Sequence, residues 1–213
     1  MKFACLVETF GTHGWFDLAT VVQASNERRE SLRLQLYRWC KAGKLLSLRR
    51  SMYAFSEPYR GRPVRPVELA NRLYTPSYLS SYWALGYYGI IPENVVMFTS
   101  VTSRTPRTFE NDFGAFCYQN VKLSAFFGYK PVDFNGQQIL LAEPEKALLD
   151  LWHLEKGEWS LPRMIEMRFQ ALTMVDPATL EQYSARFESP RLRKGVKILL
   201  RLRENEDEGA VEL

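Results

Sequence analysis

Residues 17–56 read DLATVVQASNERRESLRLQLYRWCKAGKLLSLRRSMYAFS, and this stretch decides the fold. Asp17 is a good N-cap, because its carboxylate can accept from the first unpaired N–H groups of a helix, and Leu18, Val21 and Val22 follow at helical spacing. Ala24-Ser25-Asn26 ends that short helix, and Ser25 or Asn26 can cap the next. From Glu27 onward Leu32, Leu36, Trp39 and Cys40 recur at i, i+4, i+7 and i+8, one helical face to be buried. Ser31, Gln35 and Arg38 fall on the far side with Leu34 beside them, and Arg28 and Arg29 stand in the first turn. Gly43 is a natural stop. Lys44–Arg49 and Met52–Ser56 then form two strand-like runs around Arg50-Ser51, with Tyr53 and Phe55 alternating with small residues.

A short helix, a turn, a basic amphipathic helix and a hairpin in that order predict a winged helix-turn-helix, a shape that sets one helix in a DNA major groove. On this reading Arg28, Arg29, Ser31, Gln35 and Arg38 face the bases, arginine matching guanine and glutamine matching adenine. Arg49 and Arg50 at the hairpin tip meet phosphate or the minor groove. A basic amphipathic helix alone is usually a solvated face. The charge distribution shifts the balance: residues 1–66 carry a net +7 and residues 67–213 a net −3, within +4 for the chain. Positive charge is concentrated where the helix and hairpin lie, as phosphate neutralisation requires.

The chain of 213 residues, 46% apolar and 14% aromatic, can build one large or two small cores. Its three cysteines, Cys5, Cys40 and Cys117, are far apart and include no CxxC pair, which predicts buried, reduced thiols in a cytosolic protein. No signal-peptide core is present at the start, and no run approaches the roughly 20 apolar residues of a membrane span, so the expected location is the cytoplasm.

The expected fold class is α+β: a winged helix-turn-helix over residues 1–56, opened by a helix at Phe3–Phe10, then a mixed α/β domain ending in helices. EPYRGRPVRP (57–66) reads as the linker, its prolines blocking regular pairing and its arginines solvated or following a DNA backbone. Within residues 67–203 we expect helices at 67–74 and, capped by Ser77 and stopped by Gly89, at 78–88. Strands follow at 95–103, 106–110, 114–121 and 138–142, with Asn135-Gly136 as a tight turn. A helix at 143–154 has Pro144 in its first turn, and further helices fall at 160–173, 177–187 and 190–203, the last two after Asp176-Pro177 and Ser189-Pro190. Residues 204–213 are acidic and read as a disordered tail.

Three blocks in the second half, TPSYLSSYWALGYYGIIPE (75–93), TSVTSRTPRTFENDFGAFCYQNVKLSAFFGY (99–129) and LAEPEKALLDLWHL (141–154), resemble the AbiEi family of antitoxins and related transcriptional regulators. With the winged helix included, the resemblance spans residues 17 to 155. It implies an N-terminal winged helix that binds an operator as paired copies on an inverted repeat of double-stranded DNA and represses its own operon. It further implies a C-terminal domain that helps neutralise a nucleotidyltransferase-like toxin, without a stable complex being required. One departure is Ser51, where family wings often carry glycine: a turn with positive φ would then cost on the order of 1 kcal/mol, or another turn is used. The alternative is a standalone winged-helix regulator or an interaction module with no toxin partner.

An enzyme is not expected. Glu143, Glu145, Lys146 and Asp150 invite a nuclease reading, but Pro144 stands where a second carboxylate would be needed, and Lys146 and Asp150 read as an i,i+4 pair on a helix surface. His13 and His153 have no metal-spaced partner, and neither a phosphate-cradling glycine loop nor a nucleophile elbow is present, so no metal or cofactor is expected. Arg104 and Arg107 in the block Thr102–Thr108, and Arg191, Arg193, Lys194 and Lys197 on the last helix, are candidates for a second partner or nucleic-acid surface, against the plainer reading as solvated loop and helix.

Overall fold

A computed structural model describes residues 1–209 as a mixed α+β protein of two compact units. The first is Met1–Leu73 together with Phe109–Ala115. The second is Tyr74–Thr108 and the chain from Phe116 onward.

The first unit runs α1 (Phe3–Phe10), β1 (Trp15–Asp17), α2 (Leu18–Gln23), α3 (Arg29–Lys41), β2 (Leu45–Arg49), β3 (Met52–Phe55) and α4 (Pro66–Arg72). The three strands form one antiparallel sheet with β3 in the middle. Asp17 caps α2 as expected, accepting from the Thr20 N–H at 2.9 Å. The helix α3 starts two residues later than expected, with Arg28 at its cap position and no side-chain cap, because the Ser25 hydroxyl is turned to the Glu27 N–H. At its end Gly43 has φ +69°, and the Gly43 and Lys44 N–H groups bond back to Cys40 and Trp39. That is a Schellman stop, which satisfies the last carbonyls. Leu6, Phe10, Phe16, Leu18, Val21, Leu32, Leu36, Leu45 and Phe55 make one core.

Residues 57–66 are built into this unit. Val64 is buried, Gly61 N–H bonds to the Gly11 carbonyl, and Arg62 reaches the His13 carbonyl and the Glu68 carboxylate. Prolines exclude regular pairing but not packing. The cysteines are free, but they are not buried as expected: Cys5 is exposed on α1, which turns Leu6 and Phe10 inward instead, and Cys40 and Cys117 are half-buried.

The second unit contains β4 (Ser77–Leu79), α5 (Ser81–Tyr87), β5 (Phe98–Thr102), β6 (Arg107–Asn111), β7 (Gly114–Asn120), β8 (Tyr129–Asp133) and β9 (Gln138–Ala142). The sheet order is β6-β7-β5-β4-β9-β8, and the tip of the β6–β7 hairpin is counted in the first unit. Then follow α6 (Pro144–Leu154), α7 (Leu161–Glu166), α8 (Pro177–Arg186) and α9 (Pro190–Gly209). Residues 145–152 of α6 are buried on every side, so this is the central helix of the unit, packed on α5, α8 and α9.

Three expectations are corrected. Ser77–Leu79 is a buried strand rather than the start of a helix, since it is paired on both edges, antiparallel to β5 and parallel to β9. The expected helix at 160–173 stops after α7, because Arg168 and Ala171 take positive φ, and Leu172–Met174 make a single tight turn. The acidic segment after Arg203 continues α9 as a helix to Gly209, adding turns to one already anchored by buried Leu192, Val196 and Leu199, where extension is cheap compared with nucleation. The remainder of that tail, 210–213, lies outside the described residues.

Candidate nucleic-acid interface

Burial of Leu32 and Leu36 fixes which side of α3 faces out. Positions 30, 34, 37 and 41 then line up along the middle of the outer face at i, i+4, i+7 and i+11. Glu30, Leu34, Tyr37 and Lys41 are all exposed, Leu34 by 50% and Tyr37 by 57%. Arg33 flanks this line on one edge and Ser31 and Arg38 on the other, while Arg29 stands in the first turn above the buried face; all four are exposed. The Lys41 ammonium lies 5.7 Å from the centre of the Tyr37 ring.

Of the expected base-facing residues, Arg28, Arg29, Ser31 and Arg38 are therefore exposed at or on this helix, whereas Gln35 is half-buried and hydrogen-bonded within the unit. Its amide nitrogen donates to Glu27 at 2.6 Å, and its amide oxygen accepts from the N-terminal ammonium at 3.0 Å. That ammonium also pairs with Glu27. Gln35 sits at the border of the buried face and closes a polar cluster there. The same face exposes Arg33, Tyr37 and Lys41, whose positions follow from the period set by Leu32 and Leu36.

At the hairpin the two arginines differ. Arg50 is exposed at the tip. Arg49 is half-buried, its guanidinium donates to the Arg50 carbonyl at 3.0 Å, and its Nε is buried without a partner among the described residues. Ser51 has φ +66°, so the turn keeps the left-handed geometry in spite of its side chain. The Ser51 carbonyl accepts from Leu18 N–H at 2.8 Å, which ties the turn to the start of α2.

The candidates in the second unit separate in the same way. Arg104 and Arg107 converge on Tyr74, 4.5 and 5.9 Å from the ring centre, and Arg104 also donates to the Thr75 carbonyl. Arg191 is structural: it donates to the carbonyls of His153, Glu155 and Gly157, closing the end of α6. Lys194 pairs with Glu158 at 2.8 Å. Arg193 and Lys197 are exposed beside Glu181, around a shallow cavity of about 370 Å³.

Lys146 and Asp150 are not on a helix surface. Both side chains are fully buried and ion-paired, because α6 is enclosed all round. The Lys146 ammonium also donates to the Tyr78 hydroxyl at 2.9 Å, and Asp150 accepts from Tyr78 at 3.0 Å and Ser80 at 2.7 Å. The rings of Tyr78, Phe127 and Phe187 stand 5.0–5.4 Å from the ammonium. Burial holds the Lys146 pKa below the ordinary lysine value, opposed by Asp150, and burial with Asp150 pushes the Tyr78 phenol up. The cavity beside Arg193 and Lys197 is not lined by Lys146, Asp150 or Tyr78. Among the described residues there is no cluster of three metal-capable side chains, and no helix is long and apolar enough to cross a membrane.

Compared with known proteins, the chain matches no family model and no curated protein.

Proposed function

We propose that the chain is a DNA-binding transcriptional regulator whose first unit is a winged helix-turn-helix, resembling the AbiEi antitoxins. The observation that carries this reading is the element order α1-β1-α2-α3-β2-β3, with an exposed, arginine-edged face on α3 and Arg50 at the hairpin tip. In this proposal α3 enters the major groove, Arg29, Arg33 and Arg38 hold the groove walls, and Arg50 binds phosphate beyond them. Two copies meet on an inverted repeat and repress the chain's own operon. The second unit, around α6, serves the neutralisation of a nucleotidyltransferase-like toxin. The closed packing around Lys146 supports a structural rather than a catalytic part for that residue.

The test is binding to the DNA upstream of the chain's own gene, titrated across salt. Arg33→Ala, Arg38→Ala and Arg50→Ala are each expected to weaken binding and to lower the slope of log K against log salt by about one. Unchanged affinity and slope in all three would overturn the assignment of this face.

A further inference from the structure

We propose that Leu34 reads the 5-methyl group of a thymine; this rests on the DNA-binding reading above and names what the centre of the α3 face recognises. A helix lying in the major groove meets base edges along its middle line and phosphates along its two edges. The face of α3 has that order across its width. Arginines occupy both edges, whereas the middle line is Glu30, Leu34, Tyr37 and Lys41. Lys41 at the far end can reach phosphate, but Glu30 and Leu34 are poor phosphate ligands, so the N-terminal part of this line belongs on the groove floor.

Leu34 is 50% exposed and stands outside the core cluster that Leu32 and Leu36 join on the opposite face. Tyr37, one turn on, is also exposed, so the two form a small apolar patch inside a basic surface. The groove floor offers one apolar group, the thymine methyl, while the other base-edge positions are hydrogen-bond donors and acceptors that leucine cannot match. The arginine edges attract a polyanion to this patch and disfavour a protein partner with a basic rim. The surroundings therefore favour DNA as the occupant over a protein.

The experiment selects duplexes from a random pool with the full chain, then replaces each thymine of the selected site singly by deoxyuridine, which lacks only the methyl group. Covering one methyl is worth about fourfold in affinity, so at least one position is expected to lose about that factor on replacement. The Leu34→Ala chain is expected to bind thymine and uracil equally at that position while keeping its salt slope. Alanine is at least as good a helix former as leucine, so this exposed substitution leaves α3 intact. Equal binding of thymine and uracil at every position, or a difference that persists in Leu34→Ala, overturns the proposal and leaves the DNA-binding reading standing. Failure to select any duplex overturns both.

Discussion

Lys146 shows how much one buried charge demands of its neighbours. Its ammonium has Asp150 and the Tyr78 hydroxyl as polar partners and three aromatic faces around it, and Asp150 is in turn satisfied by Tyr78 and Ser80. Removing one member leaves an uncompensated charge. Lys146→Met is expected to cost about 3–5 kcal/mol in urea unfolding, and Lys146→Met with Asp150→Leu markedly less than either change alone implies. Ser51 offers the opposite case, a local cost that glycine relieves. With φ at +66°, Ser51→Gly is expected to raise stability by about 0.5–1 kcal/mol, measured in the same way. The glycine missing from the hairpin is visible in the sequence, but whether the turn keeps its geometry is decided by pairing of β2 with β3 and by the Leu18 bond. Gln35 shows the same limit: its spacing marks the edge of the buried face, and only the fold brings Glu27 and the N-terminus to it.

At the scale of elements, end signals that act locally are legible in the sequence. Asp176-Pro177 opens α8, and the Asp176 carboxylate accepts from the Thr179 hydroxyl and N–H. These bonds hold its pKa below the ordinary aspartate value. The folded state therefore binds its proton less readily than the unfolded chain, so the stabilisation is complete above the ordinary aspartate range and is lost as pH falls through the folded value. Asp176→Asn is expected to flatten that part of the acid unfolding curve while preserving the helix start, as followed by circular dichroism. Elements defined by distant partners were less legible. Ser77–Leu79 looks like a helix start because Ser77 is a good cap, but β5 and β9 claim its backbone from both sides. The strand β8 is hard to read from the sequence, since Pro131 interrupts its pattern. It lies at the sheet edge, where a missing N–H costs no central ladder bond, and Asn135 and Gly136, both at positive φ, turn it into β9.

For the molecule as a whole, the α+β class and the concentration of charge in the N-terminal part follow from composition and period, whereas the division into units does not. No sequence signal marks 109–115 as part of the first unit. The proposed function assigns DNA and toxin to different units, which makes them separable. A chain carrying Arg33→Ala, Arg38→Ala and Arg50→Ala together is expected to lose operator binding yet still protect cells expressing a nucleotidyltransferase-like toxin from the neighbouring reading frame. Loss of protection with unchanged folding would place the antitoxin effect in the DNA-binding surface.

The split composition of the first unit bears on how the protein is made. Its last seven residues are translated only after β4, α5 and β5 have been written into the chain. Among them Asn111 donates to the Leu48 carbonyl at 3.0 Å, in the hairpin next to Arg49 and Arg50. A nascent chain halted near Leu73 thus carries the helices and the hairpin without this brace, and is expected to show weaker hydrogen-exchange protection at β2 than the longer protein. The brace on β2 therefore comes from residues that are synthesised after three elements of the second unit.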